Sequence, residues 1–549
     1  MITATWSWLW EKHDQIKDLF RFFVKPGDAI EKNKVKQPDV TKKGYGGKGN
    51  GGGRPYTNAQ LTGLFLGPLL FFLTLFFFTP EGLSNEGKAI LASTLWIAIW
   101  WVTEAIPIPA TSLMPIILFP LSGGLDINST TSAYGNGTIF LFLGGFVLAL
   151  AMERWDLHRR IAINIISVMG TRPDRIVLGF MVATGFLSMW ISNTATAMMM
   201  IPIGLAITYQ VQDALKGDPN VDTSKGNFAF GKAIMLGIGY SASIGGMATL
   251  IGTPPNAILA GTVKELFDYE ISFAGWMVFG VPFAWALLLF GWIYLTKMAF
   301  PTNLKDLPGG KAIFDEEKRK LGKASYEEKA VFIVFVVTAF AWITRSFILE
   351  AINPNIDDTI IAILAAIVLF IIPTKSTKAS HIMDWSAAVK LPWGVLLLFG
   401  GGLAIAAGFT SSGLSEWIGS QLNGLQGVHI LLIILAVTAL VNALTEVTSN
   451  TATATMMFPI MAALALALDV HPLALMVAAG LSASCAFMLP VATPPNAVVF
   501  GTGYIRILDM ARAGFFLNIA AIILITLTCY YLLPLTLGID ITSFPDSFK

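Results

Sequence analysis

The pentapeptide Ser192-Asn193-Thr194-Ala195-Thr196 recurs 257 residues later as Ser449-Asn450-Thr451-Ala452-Thr453, and each copy lies within a long apolar stretch. Two identical polar clusters at matching places in a hydrophobic chain indicate two half-sites made by one repeated unit. Secondary transporters with internal repeats build a central binding site in this way, from helices that are interrupted near the middle of the membrane. The repeat therefore predicts a membrane transporter fold.

The composition excludes an ordinary soluble protein. Of the 549 residues, 54% are hydrophobic and 13% are charged, which leaves too few polar residues to cover a folded surface in water. The net charge of +1 gives no reason to expect a nucleic-acid partner. Cys485 and Cys529 lie in apolar segments, where we interpret them as small buried hydrophobes, and the five histidines show no metal-ligand spacing.

Apolar segments of membrane-spanning length predict an all-α, polytopic membrane protein with about 11 transmembrane helices. The candidate spans lie roughly at 60–79, 88–103, 108–121, 174–191, 233–251, 273–298, 328–349, 356–373, 429–447, 472–489 and 511–534. Shorter apolar pieces between them suggest re-entrant or broken segments.

Polar stretches divide the chain into four parts. Residues 1–58 form an extension that we predict to be an amphipathic helix followed by a linker rich in glycine and lysine, and its basic character places it in the cytoplasm. A first transmembrane repeat would occupy 59–301 and a second 329–549. The charged stretch 302–328 between them is interpreted as a cytoplasmic linker.

Two further matches support an internal duplication. Phe142-Leu143-Gly144-Gly145 matches Phe399-Gly400-Gly401-Gly402, again 257 residues apart. Thr253-Pro254-Pro255-Asn256 recurs as Thr493-Pro494-Pro495-Asn496, 240 residues apart. Three matches in the same order predict two repeats, which are inverted in the membrane if each half crosses it an odd number of times.

The paired glycines lie in short apolar stretches, Ile139 to Ala151 and Val395 to Ala407, with polar residues on both sides. These stretches are too short to cross a bilayer comfortably, so we predict re-entrant hairpins here. Close packing of helices at glycine is the alternative.

The two polar motifs predict helix breaks that line a cavity. Three consecutive polar residues point around a helix, and serine and asparagine offer the backbone alternative hydrogen bonds. Two consecutive prolines force a helix to end or to restart. Non-helical backbone at membrane depth is tolerated where it is buried or lines a water-filled cavity. We therefore expect each pair of motifs to form one half-site.

Such half-sites suit a cation and an anion together. Hydroxyl, amide and carbonyl oxygens are hard ligands that fit Na⁺, and the amides at helix N-termini fit an anion. Neither motif contains lysine or arginine, so an anionic substrate would need bound cations as its counter-charge. Glu446 adds a further negative charge, and its first-half counterpart is Met189. A functional role and a structural hydrogen bond are both open for Glu446.

The duplicated Ser-Asn-Thr and Thr-Pro-Pro-Asn motifs resemble those of the divalent anion/sodium symporter family, which includes dicarboxylate and citrate carriers. The resemblance covers about 60–535 of the chain. It implies a Na⁺-coupled C4-dicarboxylate symporter (succinate, malate, fumarate), a homodimer in the cell membrane, and an elevator-type motion of a transport domain.

Carried over motif by motif, the resemblance implies two sets of site residues. The substrate-binding residues would be Ser192, Asn193, Thr194, Thr253, Ser449, Asn450, Thr451, Thr493 and Pro494. The sodium ligands would be Ser188, Ser192, Asn193 and Gly252 in one half and Thr445, Ser449, Asn450 and Ala492 in the other.

Other functions remain open at this stage. A dicarboxylate or α-ketoglutarate exchanger of the same fold, and a carrier of citrate or sulfate, would use the same motifs. An intramembrane enzyme would require paired catalytic groups at membrane depth, and the sequence contains none that we can identify. A channel is disfavoured because duplicated broken helices suit occlusion of a substrate better than a continuous pore.

Overall fold

The computed structural model describes residues 56–170, 172–215, 221–301, 316, 318–377, 379–421 and 427–548. Within these ranges the secondary structure is helical, apart from an isolated bridge between Pro373 and His381. The all-α prediction is thereby confirmed. The predicted N-terminal amphipathic helix and most of the predicted charged linker lie outside the described residues.

The helices of the first half are connected by short loops. They are α1 (Asn58–Phe77), α2 (Asn85–Thr103), α3 (Ile108–Thr111), α4 (Met114–Ser122), α5 (Ile127–Ser132), α6 (Gly137–Arg154), α7 (Leu157–Val168), α8 (Pro173–Ser188), α9 (Asn193–Ala214), α10 (Ala229–Gly246), α11 (Pro254–Phe267) and α12 (Phe273–Ile293). A 3₁₀ turn, Ala133–Gly135, precedes α6, and a π-helical turn, Tyr294–Ala299, extends α12.

The helices of the second half follow in a similar order. They are α13 (Tyr326–Thr344), α14 (Glu350–Ile352), α15 (Asp358–Ile371), α16 (Trp385–Ala388), α17 (Trp393–Ser411), α18 (Leu414–Gln421), α19 (Ile430–Thr445), α20 (Asn450–Leu468), α21 (Pro472–Ser484), α22 (Pro494–Gly501), α23 (Ile507–Leu527) and α24 (Leu533–Leu537). π-helical turns, Arg345–Leu349 and Thr528–Leu532, precede α14 and α24, and a 3₁₀ turn, Asp546–Phe548, ends the described chain.

Length and composition make this a multi-pass membrane protein. In the described residues, eight helical segments are long and apolar enough to cross a membrane, and four shorter apolar segments accompany them. Large apolar side chains such as Phe65, Phe77 and Phe340 are exposed on the outer surface, as a lipid-facing surface requires. The count of about 11 transmembrane helices stays a prediction.

The paired glycines do not form the re-entrant hairpins that we predicted at Ile139 to Ala151 and Val395 to Ala407. Each pair lies inside one uninterrupted helix, α6 or α17, and both helices belong to segments of spanning length. N-terminal capping extends α6 beyond its apolar stretch, since Asn136 Oδ1 accepts from the Thr138 amide at 2.9 Å. The hairpin prediction is therefore wrong for these two stretches.

Close packing explains the glycines instead. A Cβ atom on Gly144 would lie 2.6 Å from the backbone of Ala362 in α15, and one on Gly401 would lie 2.5 Å from the carbonyl oxygen of Ser112. Only residues without a side chain permit two backbones to approach so closely. The alternative interpretation of these glycines is thereby confirmed.

The helices that carry the polar motifs have a matching arrangement in the two halves. The bounds of α8 and α19 are both 257 residues apart. The broken helix α10 packs against both α8 and α9, and α21 packs against both α19 and α20. The half-helix α11 packs on α20 and α21, whereas α22 packs on α9 and α10, so each half reaches into the other. The inverted relation of the repeats remains a prediction.

Candidate functional site

Each Ser-Asn-Thr motif lies at a helix break, as the sequence predicted. Helix α8 ends at Ser188 and α9 begins at Asn193; α19 ends at Thr445 and α20 begins at Asn450. The serine before each new helix is its N-cap and has non-helical backbone, with ψ of 142° for Ser192 and 129° for Ser449. Both motifs therefore present the free amides of a helix N-terminus, where partial positive charge favours an anion.

The first break gathers a cluster of oxygen atoms. Ser188 Oγ donates to the carbonyl oxygen of Ala242 at 2.6 Å and to Asn193 Oδ1 at 2.8 Å. The same atom of the Asn193 side chain lies 3.1 Å from the Ala242 oxygen and 3.2 Å from the Gly252 oxygen. With the amide oxygen of Asn193 facing the cluster, only the serine hydroxyl donates among these groups, so the lone pairs outnumber the protons. A cation, or a turn of the amide that brings Nδ2 to the three oxygens, satisfies this cluster.

The second break repeats the cluster. Thr445 Oγ1 donates to the carbonyl oxygen of Ala483 at 2.6 Å and to Asn450 Oδ1 at 2.9 Å. Both hydroxyl residues and both asparagines keep the offset of 257 residues. The described residues contain no group of three histidine, cysteine or acidic side chains that could hold a metal ion. A cation in either cluster would therefore be held by neutral oxygens, which suits Na⁺.

Several hydroxyl groups beside the clusters are available to a ligand. Within the described residues, no hydrogen bond engages the hydroxyl of Thr194, Thr253 or Thr451. Ser192 Oγ accepts weakly from the Ala195 amide at 3.3 Å, whereas Ser449 makes no such cap. These side chains can turn toward a bound carboxylate.

The predicted site residues differ in how closely they come together. Ser188, Asn193 and Gly252 share one cluster, and Thr445 and Asn450 share the other. The remaining predicted residues lie on the same breaks without a hydrogen bond to either cluster: Ser192 and Pro494 are exposed, Thr194, Ser449 and Thr451 are half-buried, and Thr253, Ala492 and Thr493 are buried.

The Thr-Pro-Pro-Asn motifs restart the second pair of broken helices. Pro254 opens α11 and Pro494 opens α22. The threonines before them have nearly the same backbone angles, φ and ψ of −140° and 141° for Thr253 and −139° and 148° for Thr493. Because proline lacks an amide hydrogen, it fits the first turn of a helix, where that hydrogen has no partner. The predicted breaks in α10–α11 and α21–α22 are thus observed.

The asparagine of each Thr-Pro-Pro-Asn motif closes its break, a role that the sequence reasoning missed. Asn256 Nδ2 donates to the carbonyl oxygens of Gly246, Met247 and Thr249 at 3.4, 3.1 and 2.8 Å. These carbonyls have lost their helical partners, and burial without a hydrogen bond would be costly. The repetition of the asparagine in both copies was the signal that could have revealed this role.

Asn496 makes the matching contacts in the second half. Its Nδ2 donates to the carbonyl oxygens of Ala486 at 2.9 Å and Leu489 at 3.1 Å. These acceptors lie 10 and 7 residues before the asparagine, as Gly246 and Thr249 do in the first half. One local device therefore holds both breaks.

The break between α10 and α11 is tighter than the matching break between α21 and α22. A Cβ atom on Gly246 would lie 2.4 Å from Asn193 Oδ1, and one on Gly252 would lie 2.4 Å from the Gly246 oxygen. The positions 240 residues later carry Ala486 and Ala492. The first cluster therefore excludes methyl groups that the second accommodates.

Glu446 joins the two helix breaks of the second half, since it directly follows α19 and contacts the segment after α21. Its Oε1 accepts from the amides of Phe487 at 2.8 Å and Met488 at 2.9 Å, and its Oε2 accepts from the Leu489 amide at 3.1 Å. Asn518 Nδ2 on α23 donates to Oε1 at 2.7 Å. The structural hydrogen bonds left open by the sequence are therefore present.

The break after α10 adjoins the break after α21. Met247, directly after α10, and Cys485, directly after α21, bring their sulfur atoms to 3.7 Å. The ends of α10 and α21, which supply a carbonyl oxygen to each cluster, therefore lie side by side.

The sequence of this chain is similar to those of known membrane transporters. The family described as the sodium:sulfate symporter transmembrane region matches residues 58–537. The sodium-dependent dicarboxylate transporter SdcS of Staphylococcus saprophyticus is 53% identical over 492 residues, which cover 89% of this chain and 94% of that protein. The SdcS protein of Staphylococcus aureus (strain USA300) is 53% identical over 491 residues, with the same coverage of both chains.

Two solved structures share the fold at low sequence identity. The YdaH transporter of Alcanivorax borkumensis has a TM-score of 0.52 and 14% identity, and covers 81% of this chain and 98% of its own. MtrF of Neisseria gonorrhoeae has a TM-score of 0.53 and 14% identity, and covers 87% of this chain and 96% of its own. At this identity the likeness concerns the fold alone.

Proposed function

Because this chain belongs to the sodium:sulfate symporter transmembrane family, we propose that it is a secondary active transporter that carries C4-dicarboxylates together with Na⁺. Succinate, malate and fumarate are the substrates of this class. The relatives that are 53% identical are named sodium-dependent dicarboxylate transporters. The protein is a transporter and not an enzyme.

One observation carries the proposal: the same oxygen cluster occurs at both helix breaks. Ser188 with Asn193 and Thr445 with Asn450 form equivalent hydrogen bonds at 2.8 and 2.9 Å. Hydroxyl, amide and carbonyl oxygens are the ligands that a hard monovalent cation prefers. In our proposal each cluster binds one Na⁺, with Ser192 and Gly252 completing the first set and Ser449 and Ala492 the second.

The substrate would lie between the two clusters. The free amides of α9 and α20 and the hydroxyls of Thr194 and Thr451 would receive one carboxylate each, with Thr253, Thr493 and Pro494 lining the space between them. Both motifs lack basic residues. The bound cations therefore supply the positive charge that the dianion needs, which makes substrate binding dependent on Na⁺.

The membrane potential sets a minimum for the coupling. Moving a dianion into an inside-negative compartment costs about 4.6 kcal/mol per 100 mV, twice the value for one charge. Two Na⁺ cancel that charge, and a third would make uptake electrogenic. Two clusters therefore meet the minimum for a concentrating symporter.

The charge distribution supports an orientation with the N-terminus in the cytoplasm. Lys297 pairs with Asp174 and Arg160 with Glu328, so both ends of the charged linker lie at one end of the bundle, which is rich in basic residues. The opposite ends of α12 and α13 meet around Arg345, which pairs with Glu270 and Asp358. An excess of lysine and arginine marks the cytoplasmic side.

We also propose that the chain divides into a cytoplasmic extension (1–58), a first transmembrane repeat (59–301), a cytoplasmic linker (302–328) and a second transmembrane repeat (329–549). We further propose a cell-membrane location, a homodimer and an elevator-type motion.

Uptake of labelled succinate into proteoliposomes tests the proposal. We expect uptake that requires an inward Na⁺ gradient and no internal substrate. Uptake that requires internal succinate, with or without Na⁺, would instead assign an exchanger of the same fold. Competition by sulfate, citrate and α-ketoglutarate ranks the substrates: stronger inhibition by sulfate or citrate than by malate would overturn the C4-dicarboxylate assignment.

A further inference from the structure

The two halves differ in charge at one buried position, which is Glu446 in the second half and Met189 in the first. Each residue directly follows the helix that leads into a Ser-Asn-Thr motif. Glu446 is 6% exposed, although an acidic side chain at membrane depth is costly unless its partners satisfy it. The nature of those partners decides what the residue does.

The surroundings of Glu446 suit an ionised carboxylate. Three backbone amides, from Phe487, Met488 and Leu489, and the side-chain amide of Asn518 all donate to its two oxygens. Four donors and no acceptor match a carboxylate that has lost its proton, because a protonated one would need an acceptor for its own hydrogen. Among the described residues no basic side chain pairs with Glu446, so oriented dipoles hold its charge.

The first half makes the same connection without a charge. Thr249 Oγ1 donates to the carbonyl oxygen of Met189 at 2.5 Å and accepts from the Gly252 amide at 3.1 Å. The threonine thus joins the end of α8 to the break after α10, as Glu446 joins the end of α19 to the break after α21. Each half therefore has a side chain that joins the end of one helix to the neighbouring helix break, but only in the second half is that side chain negatively charged.

Glu446 also lies beside the second oxygen cluster. It follows Thr445, whose hydroxyl contacts Asn450 and the Ala483 carbonyl oxygen. The amides that it binds belong to the break that leads to Ala492, a further proposed ligand of this cluster. The carboxylate therefore ties together the two elements that supply the cluster, and its charge lies close to any cation bound there.

We propose that Glu446 is a positioning residue of the second cluster, where it fixes the break of α19–α20 to the break of α21–α22 and strengthens Na⁺ binding through its charge. The two Na⁺ sites are then unequal: the second-half site has the higher affinity and fills first. This inference rests on the proposed Na⁺-coupled function. It goes beyond that function because the proposed function treats the two clusters alike.

The test compares four variants with the wild type in proteoliposomes, by the Na⁺ dependence of succinate uptake, and in detergent, by the rise in unfolding temperature on adding Na⁺. Glu446→Gln removes the charge. Asn518→Ala keeps the charge and removes one donor. The double variant Glu446→Gln with Asn518→Asp moves the carboxylate to α23 at the same contact. Thr249→Val removes the uncharged connection in the first half.

We expect Glu446→Gln to raise the Na⁺ concentration for half-maximal uptake by about tenfold or more, because a unit charge acts strongly in a site screened from water. Asn518→Ala should stay within about twofold of the wild type, since the charge is kept. The double variant should recover most of the lost Na⁺ affinity. Thr249→Val should lower the unfolding temperature with a clearly smaller change in Na⁺ dependence than Glu446→Gln.

Two results would overturn the inference. The first is a Glu446→Gln variant whose Na⁺ concentration for half-maximal uptake is unchanged. The second is an equal increase of this concentration in Glu446→Gln and Thr249→Val, because the effect would then come from losing a structural connection and not from losing a charge. If Glu446→Gln does not fold, the double variant decides, since a folded double variant with strongly weakened Na⁺ dependence also contradicts the inference. Wild-type uptake that needs no Na⁺ would refute the proposed function itself, so the two failures are distinguishable.

Discussion

Phe142 of α6 and Phe399 of α17 pack directly on one another, with ring centroids 5.1 Å apart and ring planes at 82°. The two residues are 257 residues apart and occupy the same place in the two repeats. An edge-to-face pair of equivalent residues places both copies of one element at a common contact. The duplication seen in the sequence is therefore expressed as a contact between its own two copies.

If both oxygen clusters bind Na⁺, removing the hydroxyl of either cluster should lower the affinity for Na⁺ to a similar extent. Ser188→Ala and Thr445→Val each remove the hydroxyl that contacts the cluster asparagine, at 2.8 and 2.9 Å. Each change should raise the Na⁺ concentration for half-maximal succinate uptake by about tenfold or more. Ser188→Thr should keep most of the affinity, because it retains the hydroxyl. Ser167→Ala at a half-buried position of α7 serves as the control; an equal effect there would contradict the assignment.

The tightness of the first break predicts unequal effects of small substitutions. In Gly246→Ala the new methyl group would lie 2.4 Å from Asn193 Oδ1, so the cluster must open. We expect loss of Na⁺-dependent transport and a decrease of about 1–3 kcal/mol in the free energy of unfolding. The reverse change at the matching position, Ala486→Gly, should cost less than about 1 kcal/mol. Radiolabel uptake and thermal unfolding in detergent measure both; similar effects of the two changes would contradict the difference between the breaks.

The helix breaks and their polar residues could be predicted from the sequence because their signals are local. A polar triplet such as Ser192-Asn193-Thr194 and a Pro-Pro pair each disturb a helix where they stand. The family resemblance implied Ser188 and Thr445 as ligands, and their offset of 257 residues agrees with the repeat. Both hydroxyls contact the expected asparagine. Local signals were therefore sufficient for the helix breaks, whereas the ligand roles came from the resemblance and stay predictions.

The remainder depends on contacts between distant residues. Gly144 was interpreted as part of a hairpin because its partner, Ala362, lies on another helix of the other half. A glycine that permits close packing and a glycine that bends the chain look the same in sequence. The role of Glu446 could not be decided either, since Asn518 approaches it from α23, 72 residues away.

The asparagines that close the breaks predict a graded loss of stability. Asn256→Ala leaves the buried carbonyl oxygens of Gly246 and Thr249 without a donor among the described residues, whereas Met247 still accepts from Trp276 Nε1. Asn496→Ala leaves that of Ala486, whereas Leu489 still accepts from the Ala492 amide. We expect the free energy of unfolding to fall by about 2 kcal/mol or more for Asn256→Ala, and by less for Asn496→Ala. Thermal unfolding in detergent measures the change, with exposed Asn164→Ala as the control. Equal stability of wild type and Asn256→Ala would contradict the closing role.

A pH-dependent stability is expected where the C-terminal segment meets α21. His471 precedes α21, its Nδ1 accepts from the Leu473 amide, and its ring lies 5.3 Å from that of Phe548. Burial lowers the pKa of His471 from 6.5 to about 4, and the nearby Asp540 carboxylate opposes this shift. The unfolded chain therefore binds the proton more readily than the folded one, so stability is full above pH 6.5 and is lost as the pH falls toward 4.

Replacement of this histidine isolates its contribution. In His471→Asn the side-chain oxygen can still accept from the Leu473 amide, as an N-cap asparagine does, but the side chain no longer titrates. We expect the unfolding temperature of the wild type to fall more steeply between pH 7 and pH 5 than that of His471→Asn, because only the wild type must keep a buried imidazole neutral. Replacing Asp540 by Asn should steepen the wild-type slope, since it removes the carboxylate that favours the protonated ring. Parallel pH profiles for the wild type and His471→Asn would show that this buried imidazole does not control the acid sensitivity of the protein.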